Sequence, residues 1–279
     1  METLGYYNGR IGELAEMTVP MTDRACYFGD GVYDATYARN HRIYCLDEHV
    51  ERFYNSAGLV RIEIPYTKDQ LKALLQELVE KVDDGEQFVY WQITRGAATR
   101  EHAFPRVPAS LWVMLRPAKV QDTYQRLKLL SLEDTRFLHC NIKTLNLLPN
   151  VLAAQQVAEA GCDEAVFHRG EMVTECAHSN VHILKGGILK THPTDHLILP
   201  GIARGNLIRV CKQRNVPVDE TPFTMQELLD ADEVIVSSSG SFCMGVDTVD
   251  GRPVGGRAPE LLKQLQDDLM ADYLTRTSV

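Results

Sequence analysis

Apolar positions recur along this chain at two spacings, and the switches between them lay out its elements. Leu71, Leu74, Leu75, Leu78, Val79 and Val82 fall on one face of a helix, with Thr67 and Gln70 placed as a capping box ahead of them. A second helix is predicted to start near Asp47. Phe88 to Thr94 and Leu111 to Leu115 are rich in β-branched and aromatic residues and predict strands. Beyond Arg116-Pro117 a polar stretch, Ala118 to Gln125, precedes a new strand signal at Leu127 to Leu132. The pattern therefore divides into an N-terminal domain over 1–117, a linker over 118–125 and a C-terminal domain over 126–279.

The second half opens with a helix expected from about Leu147 to Ala160, with Pro149 tolerated in its first turn and Gly161 just beyond its end. Arg169-Gly170, Lys185-Gly186-Gly187 and Asp250-Gly251 separate short β-like runs as hairpin turns do, which predicts a compact antiparallel sheet. Further helices are expected after Gly201, after Thr224 with Glu227 completing a second capping box, and from about Pro259 onward. The fold class is mixed α and β.

Composition narrows the partners. The chain has 279 residues, 44% hydrophobic and 24% charged, with a formal charge of -9 and no basic block, which disfavours nucleic acid or an anionic membrane and favours a small metabolite. Seven cysteines are scattered without a CxxC pair or a leader ahead of them, as expected for a reducing cytoplasm. No apolar run reaches the ~20 residues that span a bilayer.

Chemistry concentrates in a few segments. Gly29-Asp30-Gly31-Val32-Tyr33 can turn tightly or approach a ligand before a strand begins; by itself it fits a plain turn equally well. Arg52, on the helix starting near Asp47, could hold a phosphate through two parallel bonds or lie on a solvated face. Leu199-Pro200-Gly201-Ile202-Ala203-Arg204 opens a helix whose first N–H groups would face an arriving anion. Ser237-Ser238-Ser239-Gly240-Ser241 offers hydroxyl donors where a strand ends. Lys143 stands in a stretch poor in charge, and burial there would make it a nucleophilic amine. Glu175 closes a strand-like run and is costly to bury without a partner, such as a pyridinium nitrogen. His178 with His182, and His192 with His196, share a four-residue spacing, but strand geometry and Pro193 separate them, so ordinary polar roles are preferred and no metal is expected. Neither a Gly-x-Ser-x-Gly elbow nor a Walker-type loop occurs.

In order and spacing, Gly29 to Tyr33, Arg52, Asn141 to Asn146, Thr174-Glu175, Ser179-Asn180-Val181 and Leu199 to Ile202 resemble the fold-type IV pyridoxal-phosphate enzymes over nearly the whole chain. Thr94 to His102 resembles the Arg-x-His element of the D-amino acid transaminases within that group. The resemblance implies a small α/β N-terminal domain and a larger C-terminal domain with a β-barrel-like core, with pyridoxal 5'-phosphate between them. It further implies a homodimer with shared active sites. Lys143 would form the Schiff base and shuttle the Cα proton, and Glu175 would keep the ring nitrogen protonated. Arg52, Gly201, Ile202, Ala203, Ser238 and Ser239 would grip the phosphate, Leu199 would pack on the ring, and Ser179 and Asn180 would line the cofactor. Tyr33, Arg100 and His102 would hold the substrate carboxylate, the last two reaching from the other subunit. The implied activity moves an amino group from a D-amino acid, such as D-alanine or D-glutamate, to 2-oxoglutarate or pyruvate. Aminodeoxychorismate lyase, R-selective amine transaminase and branched-chain transaminase are the alternatives on the same fold. A noncatalytic protein that binds a phosphorylated ligand is the alternative outside it. Ala203, His178 and Asp34 depart from the subgroup's usual threonine, small hydroxyl residue and glutamate.

Overall fold

The computed structural model describes residues 2–83 and 85–278. Its contacts divide the chain into two compact units: one runs to Val120 and takes in Ile142–Asn146 and the stretch from Leu274 on, while the other holds Gln121–Asn141 and Leu147–Tyr273. The second expected domain, 126–279, thus loses two pieces to the first unit. The reason for the first piece lies in backbone pairing: Tyr33 N–H donates to the Lys143 carbonyl (2.9 Å) and Leu145 N–H to the Gly31 carbonyl (3.1 Å).

The first unit is built on β1 (Leu4–Tyr7), β2 (Arg10–Gly12), β3 (Gly31–Arg39), β4 (Arg42–Ile43), β5 (Glu86–Thr94) and β6 (Ser110–Pro117). They form an antiparallel sheet in the order β2-β1-β6-β5-β3-β4. Alternate residues of β3 are buried, as the two-residue period of a half-covered strand requires. One face packs on α2 (Leu46–Leu59) and α3 (Lys68–Val79), where Val89, Trp91 and Ile93 of the sheet join Val50, Phe53, Leu71, Leu75 and Leu78 of the helices in one core. Each such side chain contributes about 1.5–3 kcal/mol by leaving water. The expected capping box starts α3: Thr67 accepts from Gln70 N–H, and Gln70 accepts from Thr67 N–H. A five-residue helix, α1 (Arg24–Phe28), precedes β3; it is too short for apolar periodicity to reveal.

The second unit carries β7 (Arg126–Glu133), α4 (Leu148–Glu159), β8 (Glu164–Arg169), β9 (Met172–Cys176), β10 (Asn180–Lys185), β11 (Ile188–Thr191), α5 (Ile202–Gln213), β12 (Val218–Asp219), α6 (Met225–Leu229), β13 (Glu233–Ser237), β14 (Met244–Val249) and β15 (Arg252–Pro253); α7 (Pro259–Arg276) follows and crosses the division between units at Tyr273. Its strands form a nine-stranded sheet ordered β12-β11-β10-β13-β14-β7-β8-β9, with β15 on β14, curled into a half-barrel. The three glycine turns make the expected hairpins, but the sheet is mixed rather than antiparallel. β7 pairs in parallel with both β8 and β14, and β11 with β12. β7 leads through α4 into β8, and a helical crossover returns the chain in the same direction. Among the described residues no helix is long and apolar enough to cross a membrane, and all seven cysteines are free.

Candidate active site

Lys143 is held by its backbone before its amine is considered. Its carbonyl accepts from Tyr33 N–H (2.9 Å) and its N–H donates to Ser56 Oγ of α2 (3.2 Å). Gly31 makes this possible, because a Cβ there would stand 2.7 Å from both the Ile93 carbonyl oxygen and Leu145 Cδ1. The half-buried side chain of Lys143 places Nζ 4.4 Å from the centre of the Tyr33 ring, an attractive position for a cation. The same ring stacks on Tyr90, with 5.4 Å between centroids.

The next residue of β3, Asp34, points to the opposite face and is fully buried. Its carboxylate accepts from Arg52 Nε (2.9 Å) and Nη2 (2.7 Å) and lies 2.7 Å from His49 Nδ1. His49 and Arg52 stand three residues apart on α2, one turn that presents both to the same acceptor. Burial alone would raise the Asp34 pKa, but Arg52 and then His49 more than offset it, and the carboxyl ends well below its usual range. Burial lowers the His49 pKa against the pull of Asp34, and the charges of Arg52 and Lys143 add to the lowering. Because the carboxylate can only accept, His49 Nδ1–H is the donor in this contact.

In the second unit, Glu175 at the end of β9 is also buried. Its Oε1 pairs with Arg136 Nη1 (2.5 Å), and its Oε2 accepts from Asn180 Nδ2 (2.9 Å) and Leu199 N–H (3.0 Å). Arg136 is shared with Asp134, which takes its Nε and Nη2 at 2.9 Å each and also accepts from Arg169 and Thr174. Burial pushes Glu175 up, the arginine and the Leu199 N–H do not offset it, and the carboxyl reaches about 7. Asn180 pairs with Ser237 across β10 and β13, and it abuts Gly201, where a Cβ would lie 2.0 Å from Asn180 Oδ1. Glu175, Asn180, Leu199, Gly201 and the turn after Ser237 thus gather at one end of the sheet. Gly201 caps α5, Ile202 and Ala203 form its first turn, and that turn holds no acidic residue. The first-turn N–H groups of a helix have no intrahelical acceptor and suit an anion. Ser238 Oγ lies 2.8 Å from Ser241 Oγ, with Ser239 between them.

The family model for amino-transferase class IV matches residues 31–249. The chain belongs to that family. It is 36% identical to a D-alanine aminotransferase of Bacillus licheniformis, over 98% of each chain. It is 40% identical to a D-alanine aminotransferase of Listeria monocytogenes serotype 4b (strain F2365), over 90% of each. Among solved structures, the branched-chain aminotransferase of Thermoproteus uzoniensis with norvaline matches with a TM-score of 0.90 and 22% identity, covering 98% of this chain and 95% of that one. The branched-chain amino acid aminotransferase from Escherichia coli matches with a TM-score of 0.90 and 21% identity, covering 100% and 96%. Both are likenesses of fold. The protein is an aminotransferase.

The sequence singled out most of the groups that cluster in each unit of this aminotransferase, though not all their contacts. Ser179 donates to buried Glu164 (2.6 Å), and His178 pairs with the same carboxylate (2.9 Å). Asp34, noted only as a departure, is the anchor of Arg52. Arg100 and His102 lie exposed in the loop after β5. Each sits 5.2 Å from the Phe28 ring, and among the described residues neither bonds to Tyr33 or Lys143. His49, Asp134 and Arg136 were missed. His49 could have been found from its helical spacing to Arg52, whereas Arg136 lies in irregular chain 39 residues before its partner Glu175, with no local signal.

Proposed function

We propose that this aminotransferase transfers the amino group of D-amino acids, D-alanine and D-glutamate among them, to 2-oxoglutarate or pyruvate, using pyridoxal 5'-phosphate joined to Lys143. The observation that carries the reading is Lys143 itself, a half-buried amine fixed at both backbone groups beside Tyr33 in a chain 36% identical over 98% of its length to a D-alanine aminotransferase. The residues fit the cofactor. A buried carboxyl raised to about 7 becomes a stable anion once a cation such as a protonated ring nitrogen stands beside it. The α5 start, free of acidic residues, suits a phosphate.

When bound, the cofactor supplies an aldehyde for amine exchange and a ring that draws off the electron pair left at Cα. Glu175, oriented by Arg136, Asn180 and Leu199, holds the proton on the ring nitrogen. Gly201, Ile202 and Ala203 offer backbone N–H groups to the phosphate, Ser238 and Ser239 add hydroxyls, and Arg52 adds a cation set by Asp34. Leu199 would pack on the ring, and Ser179 and Asn180 would line the cofactor, Asn180 through its bond to Glu175. Once displaced by the substrate amine, Lys143 Nζ would take the proton from the substrate Cα and deliver it to the carbon that had been the aldehyde, and it would make the reverse transfer for the 2-oxo acid. Arg100 and His102, with Tyr33, hold the substrate carboxylate, and as in the D-amino acid subgroup they act within a homodimer. The free cysteines suit a cytoplasmic enzyme.

Borohydride reduction of the holoenzyme and peptide mapping should find the pyridoxyl group on Lys143, and D-alanine with 2-oxoglutarate should yield pyruvate. Lys143→Ala should lower kcat by about 100-fold to 10,000-fold, the range for loss of a positioned acid–base group. An unlabelled Lys143, or turnover of L-leucine but not of D-alanine, would overturn the reading.

A further inference from the structure

Arg24 lies in α1, and its side chain is buried at 3% exposure. Its Nη1 donates to the carbonyls of Glu101 and Ala103, and its Nη2 to that of His102 (3.4 Å). Three successive carbonyls of a loop with no helix or strand thus converge on one guanidinium. Its Nε is paired with Asp30 Oδ2 (2.7 Å), which fixes the guanidinium from behind. Asp30 also takes Arg95 Nε, and the Arg95 guanidinium stacks 3.6 Å above the centre of Phe104, at the far end of the same loop. The Phe28 ring is shared: Arg24 Cζ lies 4.8 Å from its centre, and Arg100 Cζ and the His102 ring centre lie 5.2 Å away. Arg24, Phe28, Asp30, His102 and Phe104 help line a cavity of about 310 Å³.

We propose that Arg24 is a positioning residue for the substrate carboxylate, holding the backbone of residues 101–103 so that Arg100 and His102 present their side chains together. This rests on the reading of Arg100 and His102 as the carboxylate cradle. Arg24 and Arg95 are both matched to Asp30, whereas Arg100 forms no ion pair among the described residues. Of these three arginines, Arg100 is therefore the one whose guanidinium is not already committed to a carboxylate. The planar fork of arginine reaches several acceptors in fixed directions; a lysine keeps the charge and the Asp30 pair but not the fork.

The test is steady-state kinetics of holoenzyme with D-alanine for Arg24→Lys, Arg100→Ala and the double variant, with the cofactor absorbance of each recorded. Arg24→Lys should raise KM about tenfold, which corresponds to about 1.4 kcal/mol, while kcat and the cofactor spectrum hold. In the Arg100→Ala background it should add clearly less than tenfold, because one of the two groups it orients is gone and only His102 remains. Arg24→Met, which removes the charge as well, should raise KM further. An unchanged KM for Arg24→Lys beside a raised KM for Arg100→Ala would overturn the role of Arg24 alone. Full additivity, or a fall in kcat with KM constant, would assign Arg24 to general stability instead. An unchanged KM for Arg100→Ala would overturn the cradle reading and this inference with it.

Discussion

In the first unit Asp34 receives Nε and Nη2 of Arg52 together with His49, whereas in the second Glu175 receives one nitrogen of an arginine whose other two serve Asp134. Both carboxyls are buried, and burial is the largest influence on each. The outcomes oppose: Asp34 ends well below its usual range and Glu175 rises to about 7. The difference is how much positive charge each carboxyl has to itself. Asp34 takes two nitrogens of its arginine with His49 beside them, which makes it an anchor for α2 against β3. Glu175 shares its arginine, so it is the carboxyl that gains from a further cation, as the proposed ring nitrogen would be.

The comparison breaks most directly at Asp34. Asp34→Ala removes the carboxylate that takes two nitrogens of the buried Arg52 guanidinium, and truncating one member of a buried pair costs about 3–5 kcal/mol. Urea unfolding of the cofactor-free protein at neutral pH should show a loss of that size. A loss under about 1 kcal/mol would mean that the pair behaves as an exposed one does and that Asp34 is no anchor.

Glu175 sharpens the contrast through pH. A carboxyl whose folded pKa is raised to about 7 from about 4.3 in the unfolded chain contributes stability that is fully present below the lower value and lost as pH rises through the upper one. Relative to Glu175→Gln, the cofactor-free wild type should gain up to about 3 kcal/mol between pH 8 and pH 5. Asp34 has the opposite sign: its depressed pKa gives stability present above about 3.9 and lost only as pH falls through the folded value. The cost of Asp34→Ala should therefore stay level from pH 8 to pH 5 at the carboxyl itself. A flat Glu175→Gln difference across that interval would remove the distinction between the two sites.

How much of this was legible follows from the range of each interaction. The stripe Leu71 to Val79, the glycine hairpins and the two capping boxes are local, and they stand where the pattern put them, whereas Val82 lies past the helix end. The amine at Lys143, the carboxyl at Glu175 and the glycine at Gly201 were singled out because their residue types are chemically unusual in their surroundings. Their contacts were not legible. Arg136 reaches Glu175 from irregular chain, Arg24 reaches three carbonyls 77 to 79 residues ahead, and Ile142–Asn146 joins the first unit through main-chain bonds of Lys143 and Leu145 that do not use those residues' side chains. The parallel pairing of β7 with β14 was hidden for the same reason. A hairpin announces itself by its turn, whereas parallel neighbours are joined by long connections without a local signature.

The smallest expected effect calibrates the rest. Thr67 caps α3 with a neutral hydroxyl in an exposed setting, accepting from Gln70 N–H at 3.2 Å. Thr67→Ala frees that N–H to water and should cost about 1 kcal/mol. Because no proton is gained or lost, the cost should be equal at pH 5 and pH 8, unlike that of Glu175→Gln. The cap lies on the same unit as Asp34, so any general fragility of that unit would enlarge both losses together. If Thr67→Ala cost as much as Asp34→Ala, the excess assigned to the buried charges would vanish, and the first unit would owe its cohesion to its apolar core alone. A cost several times smaller leaves Asp34, Arg52 and His49 as the polar contacts on which that unit chiefly depends.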